Sequence, residues 1–303
     1  MPPRLLETKF HIPLWRAGGV TRPRLLEQLH TGLREGRKLT LVSAPAGYGK
    51  TTLVTEWLNL VEKPFTWLSL DKGDDEPLRF YTYFVAALQR VDESIGKELT
   101  HALQARQLPP LEALVASLVN DITEVGSPFL CVFDDFQMLQ DKAICDGLNG
   151  LVAHQPPQLH LVIVTREDPP LPLARLRAKN QITEIRASDL RFSEMEIGQF
   201  LQENMGLSLS AQDIATLENR TEGWVAGLQL AGLSMRGREN PSEFVATLSS
   251  SNRFILGYLI EEVLKLQPQE IQNFLLQTSI LSKLNGGLCD AVTGQADSAT
   301  RLE

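Results

Sequence analysis

The sequence has few cysteines, and their spacing is not typical of a disulfide framework or a zinc site. Only Cys131, Cys145 and Cys289 occur among 303 residues, without a C-x-x-C pair or a Cys/His cluster. The chain also lacks an apolar run long enough to span a bilayer, and its N-terminus lacks the apolar core of a signal peptide. These absences predict a cytoplasmic protein without a membrane partner.

The chain also has fewer basic than acidic residues. The chain has 29 Lys and Arg against 37 Asp and Glu, which gives a net charge of -8. Such a chain is a poor candidate for binding DNA or an anionic membrane by itself. A hydrophobic content of 43% and a charged content of 22% are ordinary for a globular protein, and the length suits two or three small domains.

One stretch combines a strand, a glycine loop and a helix in an order that indicates phosphate binding. Residues 38–57 read KLTLVSAPAGYGKTTLVTEW. The run from Lys38 to Ala44 is rich in β-formers, the next five residues suit neither helix nor strand, and an amphipathic helix follows from Thr51. This is the context that a phosphate-binding loop, or P-loop, requires. The alternative is a chance glycine-rich turn before a helix.

The residue types in this loop suit a nucleotide polyphosphate. Glycines let successive amides turn inward, and the helix N-terminus adds free N–H donors. Lys50 is predicted to reach the β- and γ-phosphates, and the Thr51 hydroxyl to hold Mg²⁺. Ala44 stands where the usual G-x-x-x-x-G-K-[ST] pattern has its first glycine. A strained φ at this position would cost alanine more than glycine. The predicted nucleotide contacts are Ala44, Pro45, Ala46, Gly47, Tyr48, Gly49, Lys50, Thr51 and Thr52.

A helix is predicted just ahead of the P-loop strand, beginning at Thr21-Arg22-Pro23. A segment in this position often borders the base of a bound nucleotide, so Arg22 is a further candidate contact. A solvated arginine is an equally simple interpretation.

A second run, residues 129–135, reads FLCVFDD and predicts a buried strand that ends in two acids. In open parallel sheets, ligands bind at the carboxyl edge. Asp134 is therefore predicted to complete the Mg²⁺ site opposite Thr51, and Asp135 to orient or deprotonate an attacking water. The alternative is a plain strand-to-loop exit.

A third buried strand, Leu159 to Thr165, is followed directly by Arg166. A cation at that edge, beside the strand that carries Asp134, can sense a γ-phosphate. An ion pair with Glu167 or Asp168 is the alternative.

The acid cluster Asp71, Asp74, Asp75 and Glu76 follows another predicted strand, Phe65 to Leu70. It suggests a metal site, but a solvated turn with acids at a helix N-terminus is the preferred interpretation.

The order of elements predicts an α/β fold. Five strands, the last near Gln181 to Ala187, alternate with helices and imply a three-layer αβα parallel sheet. From Phe192 the pattern is helical, with a capping box at Ser193 and Glu196. Leu284 to Thr293 is expected to be turn-rich. The chain ends as a helix begins at Asp297 or Ser298, so we expect a fragment of a longer protein.

Several runs together carry a family resemblance. APAGYGKTTL, FLCVFDDFQ and EGWVAGLQLAGLSM, with the segments VIVTREDPPLPLARLRAKN and YLIEEVLKLQPQEIQNFLLQTSILSKL, resemble the MalT-like, ATP-dependent LuxR-type transcriptional activators. That group belongs to the STAND class of P-loop NTPases. The resemblance covers nearly the whole chain from about Leu5, and APAGYGKT looks like the group's own version of the loop.

The resemblance implies a P-loop nucleotide-binding domain over residues 1–190, a helical domain over 191–250 and an incomplete winged-helix domain over 251–303. It also implies a switch with ATP or ADP and Mg²⁺ as cofactors. An ADP-bound resting form would alternate with an ATP-bound self-associating form, with weak Mg²⁺-dependent ATP hydrolysis. Inducer and DNA would bind domains outside this chain.

A turnover ATPase or a P-loop kinase is the alternative function. A kinase needs an acceptor pocket and usually a lid with several arginines, and Arg175-Arg177-Lys179 is the only other basic stretch predicted near the site. Sustained turnover of tens per second would favour an enzyme over a switch. A scaffold that binds nucleotide without hydrolysis is a third possibility, against which the Asp134-Asp135 pair counts.

Overall fold

The structure is a computed structural model that describes residues 5–13, 19–238, 240–247, 253–281 and 283–302. Their contacts divide the chain into two compact units, residues 1–229 and 230–303. The predicted limits of the nucleotide-binding, helical and winged-helix domains stay a prediction.

A five-stranded parallel sheet forms the centre of the first unit, as the sequence predicted. Its strands are β1 (Leu39–Ser43), β2 (Phe65–Ser69), β3 (Phe129–Asp134), β4 (Leu159–Thr165) and β5 (Ile182–Arg186). Their spatial order is β2-β3-β4-β1-β5. The strand that follows the P-loop helix in sequence, β2, therefore lies at one edge of the sheet, and β4 separates the P-loop strand from the strand that carries Asp134.

Helices cover both faces of the sheet, and the side chains that alternate along each strand are therefore buried on both sides. On one face Phe133 packs against Phe80 and Phe84, with ring centroids 6.0 and 5.2 Å away. On the other face Trp57 and Trp67 lie in a separate apolar cluster with Leu130 and Val132 of β3. These two cores bury β3, whose carboxyl end carries Asp134, from both faces.

The helices of the first unit are α1 (Pro23–Arg34), α2 (Lys50–Leu60), α3 (Pro77–Gln89), α4 (Lys97–Gln104), α5 (Leu111–Thr123), α6 (Lys142–Ala153), α7 (Leu173–Ala178), α8 (Ala187–Leu190), α9 (Glu194–Met205) and α10 (Ala211–Thr221). Then come α11 (Val225–Met235), α12 (Pro241–Thr247), α13 (Arg253–Glu262), α14 (Gln269–Thr278), α15 (Gly286–Thr293) and α16 (Ser298–Leu302). Within the ranges that the structure describes, no helix has both the length and the apolar character needed to cross a membrane.

The predicted capping box of α9 is confirmed, whereas α15 was not predicted as a helix. The Ser193 and Glu196 capping box is present at α9, which ends at a left-handed Gly206. The expectation of a turn-rich segment from Leu284 to Thr293 was wrong, because this segment contains α15. The Asn285 side chain accepts the Leu288 N–H at 2.9 Å, so Gly286 and Gly287 begin a helix instead of forming a turn.

The acid cluster after β2 corrects another expectation. Asp74 is fully buried and forms ion pairs with Lys9 and with Arg79, whose Nε lies 3.0 Å from Oδ1. Lys9 also lies 2.9 Å from Asp71, so Asp74 and Asp71 anchor the N-terminal segment. Asp74 is not solvated as expected, whereas Asp71 and Glu76 are exposed. Glu76 does cap α3, as expected for an acid at a helix N-terminus. Among the side chains that the structure describes, no cluster of three or more His, Cys, Asp or Glu is arranged to hold a metal.

Candidate functional site

Three strand ends bring the predicted site residues to one edge of the sheet. β1 runs into the P-loop, β3 ends at Asp134, and β4 is followed by Arg166. Ser43 is in register with Thr165, and the Ala44 N–H donates to the Thr165 carbonyl at 3.3 Å. Because β4 lies between β1 and β3, Arg166 is placed between the P-loop and the acid pair. This is the neighbourhood that the sequence predicted for it.

The P-loop has the backbone conformation that an anion cradle requires. Gly47 and Gly49 adopt left-handed φ values of 79° and 77°. A Cβ at Gly49 would meet no atom within 4 Å, so this position needs glycine for its φ and not for space. Left-handed residues that alternate with right-handed ones turn successive N–H groups into a concave nest. Ala44 does not share the positive φ, so its departure from the usual pattern costs no such strain.

The structure brings together Thr51 and Asp134, the two residues for which a role as Mg²⁺ ligands stays a prediction. The Thr51 hydroxyl lies 3.1 and 3.3 Å from the two Asp134 carboxylate oxygens. Asp134 is 6% exposed, and burial, together with the charge of Asp135, raises its pKa to about 6. A buried carboxylate beside a hydroxyl is a costly arrangement that a hard cation would stabilise. The oxygen ligands therefore fit Mg²⁺.

Lys50 lies within the same charge cluster. Its ammonium donates to the Pro45 carbonyl at 3.0 Å. Burial lowers its pKa to about 8, and the positive charge of Arg166 contributes, while the charges of Asp135 and Asp134 oppose the shift. An anion placed here would relieve the repulsion between the two cations. Lys50 and Arg166 therefore fit a phosphate group.

Asp135 is held by a residue that the sequence analysis did not single out. It has a left-handed φ of 57°, and its carboxylate accepts the Gln137 side-chain N–H at 2.9 Å. The Gln137 oxygen in turn accepts the Arg166 backbone N–H at 3.1 Å. Gln137 thus ties the end of β3 to the end of β4. The signal in the sequence was its place two residues after the acid pair, in the same loop.

Arg22 is buried at 6% exposure, and its donors are used within the protein. Its guanidinium donates to the carbonyls of residues 189, 190 and 191 at 3.0, 2.9 and 2.8 Å, and its Nε to Glu196 at 3.1 Å. The structure therefore places Arg22 where the α/β sheet passes into the helical segment. It is not a solvated arginine, so that alternative was wrong, and a nucleotide contact by Arg22 stays a prediction.

The remaining predicted contacts, Pro45, Ala46, Tyr48 and Thr52, lie in the loop or the first turn of α2.

Comparisons with known proteins agree with the family resemblance. A family model described as the MalT winged helix domain matches residues 260–303. The HTH-type transcriptional regulator MalT of Yersinia enterocolitica is 34% identical over 303 residues, covering 99% of this chain and 33% of the relative. MalT of Serratia proteamaculans is 33% identical, with the same coverage. The chain therefore spans about a third of the length of the curated relatives that it matches.

The fold also has a solved counterpart. A Walker-type ATPase of Pyrococcus abyssi superposes with a TM-score of 0.60 and 16% sequence identity, covering 95% of this chain and 88% of that chain. At this identity the similarity bears on the fold alone. The five-stranded parallel sheet and the P-loop conformation identify the fold as that of a P-loop NTPase.

Proposed function

We propose that this chain, a homologue of the MalT-type HTH transcriptional regulators over 99% of its length, is the nucleotide-binding switch module of a transcriptional regulator. In this proposal it alternates between an ADP-bound resting form and an ATP-bound self-associating form, with slow Mg²⁺-dependent ATP hydrolysis. Inducer and DNA are proposed to bind parts of the protein outside residues 1–303. The proposed compartment is the cytoplasm.

The observation that carries this proposal is the hydrogen bond between Thr51 and Asp134 beside a nest-forming P-loop. In the proposal, Thr51 and Asp134 hold Mg²⁺, and the loop amides, Lys50 and Arg166 hold the phosphates. Held by Thr51 and Asp134, Mg²⁺ would neutralise the negative charge of the phosphates. Asp135, fixed by Gln137, accepts a hydrogen bond from the attacking water and sets its orientation.

A switch requires that ATP and ADP bind its two states with different free energies. Lys50 and Arg166 supply this difference, since the γ-phosphate adds charge-assisted contacts that ADP does not have. The left-handed Asp135 and its Gln137 bond place the water-orienting group in the same loop. Occupancy of one phosphate position can therefore be transmitted to the ends of both β3 and β4.

The proposal is tested by nucleotide binding and turnover measured on the same preparation. We expect mass spectrometry of the heat-released small molecules to detect ADP or ATP, and calorimetry to show Mg²⁺-dependent binding of both. Steady-state ATP turnover should be well below the roughly 10 per second that is typical of enzymes. Sustained turnover at or above that rate would support the turnover ATPase instead, and absence of any nucleotide binding would overturn both.

A further inference from the structure

Two hydrogen bonds join the P-loop to a segment almost 180 residues away in sequence. The Trp224 indole Nε1–H donates to the Ala46 carbonyl at 3.0 Å, across a sequence separation of 178 residues. The Ala226 backbone N–H donates to the Gly47 carbonyl at 3.0 Å. Trp224 and Ala226 therefore bond two successive carbonyls of the loop, and we refer to these two donors as the α11 clamp.

One donor is a backbone N–H at the start of α11, and the other is a side-chain N–H of the residue before it. The Trp224 carbonyl accepts the Leu228 N–H at 3.0 Å, which makes Trp224 the N-cap residue directly before α11. Ala226 is then the second helical residue, and N–H groups of the first turn have no partner within their own helix. An indole N–H donates and cannot accept, so it suits a carbonyl. The P-loop carbonyls thus accept one first-turn backbone N–H of α11 and one side-chain N–H of its N-cap residue.

Peptide planarity converts these bonds into a constraint on the amides of the loop. In a trans peptide the carbonyl of one residue and the N–H of the next point in opposite directions. With the Ala46 carbonyl bonded to Trp224, the Gly47 N–H points away from α11. The Gly47 carbonyl fixes the Tyr48 N–H in the same way. The clamp therefore sets the directions of two consecutive N–H groups in the nest that phosphate would occupy.

The clamp is itself held at a rigid junction. Gly223 has a φ of 69°, and a Cβ there would lie 2.5 Å from the Phe192 carbonyl oxygen. The Phe192 N–H donates to the Gly223 carbonyl at 2.9 Å, and the Phe192 ring lies 5.0 Å from the Arg22 guanidinium carbon. Arg22 in turn binds residues 189–191. A continuous set of contacts therefore runs from Arg22 through Phe192 and Gly223 to the P-loop.

We propose that Trp224 and Ala226 are positioning residues for the P-loop, which link nucleotide occupancy to the docking of the first turn of α11. The inference rests on the proposed function, because it concerns the same phosphate site. Linkage is reciprocal: a clamped loop binds nucleotide more tightly, and bound nucleotide stabilises the clamp. A merely structural contact would change stability without this reciprocity.

The first test is a pair of single substitutions measured by calorimetry with ADP and Mg²⁺. Trp224→Phe keeps the ring and removes the donor, and should weaken ADP binding about three- to ten-fold, the range for one neutral hydrogen bond. Thr221→Val is the control, because it removes a hydroxyl that donates to the Leu217 carbonyl in the neighbouring helix. It should lower the unfolding midpoint as much as Trp224→Phe does and leave ADP affinity unchanged.

Ala226→Pro provides a second variant, since proline is tolerated in a first turn but has no N–H. Gln212→Pro is its control, as Gln212 is the exposed second residue of α10. Only Ala226→Pro should weaken ADP binding.

Hydrogen exchange on the unmodified protein measures the reverse direction of the linkage. ADP should slow exchange of the Ala226 amide and leave the first-turn amides of α10 unchanged. If the wild-type protein binds no nucleotide, the proposed function fails and this inference fails with it. If the wild-type protein binds ADP, two results would overturn the inference alone. One is that Trp224→Phe and Ala226→Pro bind ADP as tightly as the wild type does. The other is that ADP does not change the exchange rate of the Ala226 amide.

Discussion

Among single side chains, Asp134 has the environment that most requires a cation. It is buried beside a second carboxylate, and it is stabilised by the Thr51 hydroxyl, the Asp135 backbone N–H and the charge of Lys50. Replacing it with Asn removes the buried charge and keeps an acceptor for Thr51. We expect Asp134→Asn to leave the free energy of unfolding of the nucleotide-free, metal-free protein unchanged or higher.

The same substitution should abolish the dependence of ATP affinity on Mg²⁺, since a neutral amide is a weaker ligand for a hard cation. Urea unfolding with chelator and calorimetry with and without Mg²⁺ test the two effects. Marked destabilisation with Mg²⁺-dependent binding retained would mean that Asp134 has a structural role and does not hold the metal.

We expect the Arg22 guanidinium to stabilise the start of the helical segment, where it bonds the carbonyls of residues 189–191. Lysine cannot reproduce its planar set of donors to three carbonyls. Arg22→Lys should therefore lower the free energy of unfolding by about 2 kcal/mol or more, because buried carbonyls lose their donors.

Arg24 provides the matched control for this measurement. It also donates to the Asp189 carbonyl, at 2.9 Å, but from an exposed position. Arg24→Lys should change the free energy of unfolding by less than about 0.5 kcal/mol. Equal effects of the two substitutions in urea unfolding would contradict the importance of burial at Arg22.

At the scale of elements, the contact between β1 and β4 contains a buried histidine that predicts a pH dependence. His160 Nδ1 lies 2.7 Å from the Arg37 carbonyl, and its Nε2 lies 2.9 Å from the Thr40 hydroxyl. Because a carbonyl only accepts, Nδ1 carries the proton of the neutral ring and Nε2 accepts from Thr40. Burial lowers the pKa of His160 to about 4.

The sign follows from proton binding. Between its unfolded pKa of about 6.5 and its folded pKa of about 4, His160 binds more protons in the unfolded state, so stability falls as the pH is lowered through this window. From about pH 7 to about pH 5 this residue should account for up to about 2 kcal/mol of lost stability. His160→Gln has no such titration. If wild type and His160→Gln lost equal stability over this range, the ring would not be held neutral.

The elements of the α/β sheet were predictable because their cause is local. Buried parallel strands produce continuous apolar runs, and β4 was predicted with its observed limits, Leu159 to Thr165. The meeting of Thr51 with Asp134 followed from the rule that parallel strands place their carboxyl ends at one edge. Although the two residues are 83 positions apart, each motif can be recognised from its own short run of residues.

The parts that sequence did not reveal depend on long-range partners. Asp74 was expected in a solvated turn, but its carboxylate is buried and forms an ion pair with Lys9, which lies 65 residues earlier in the chain. The Trp224 donor to the P-loop and the Arg22 contacts to residues 189–191 also join segments far apart in sequence. A pattern of types and spacings does not contain such pairs. Within α15 the failure was local, because a pair of glycines can begin a helix when Asn285 caps it.

At the scale of the whole molecule, the proposed switch predicts a nucleotide-dependent change in mass. The net charge of -8 opposes association between copies of the chain, so the proposed switch requires ATP to stabilise the self-associating form against this repulsion. We expect light scattering to report a larger mass with ATP and Mg²⁺ than with ADP and Mg²⁺, and the difference to grow as salt screens the repulsion. Equal masses under both conditions would argue against self-association as the output of this module.

The proposed switch requires nucleotide to bind at the P-loop, and calorimetry on Lys50→Ala and Lys38→Ala variants of the intact chain tests this binding. Lys50→Ala removes the ammonium at the phosphate site, and Lys38→Ala removes a lysine at the opposite end of β1, whose Nζ donates to the Val152 carbonyl at 3.3 Å. Loss of a charge-assisted contact should weaken ATP and ADP binding about ten- to a hundred-fold in Lys50→Ala, with Lys38→Ala unchanged. Wild-type affinity in Lys50→Ala would show that the nucleotide does not bind at the P-loop.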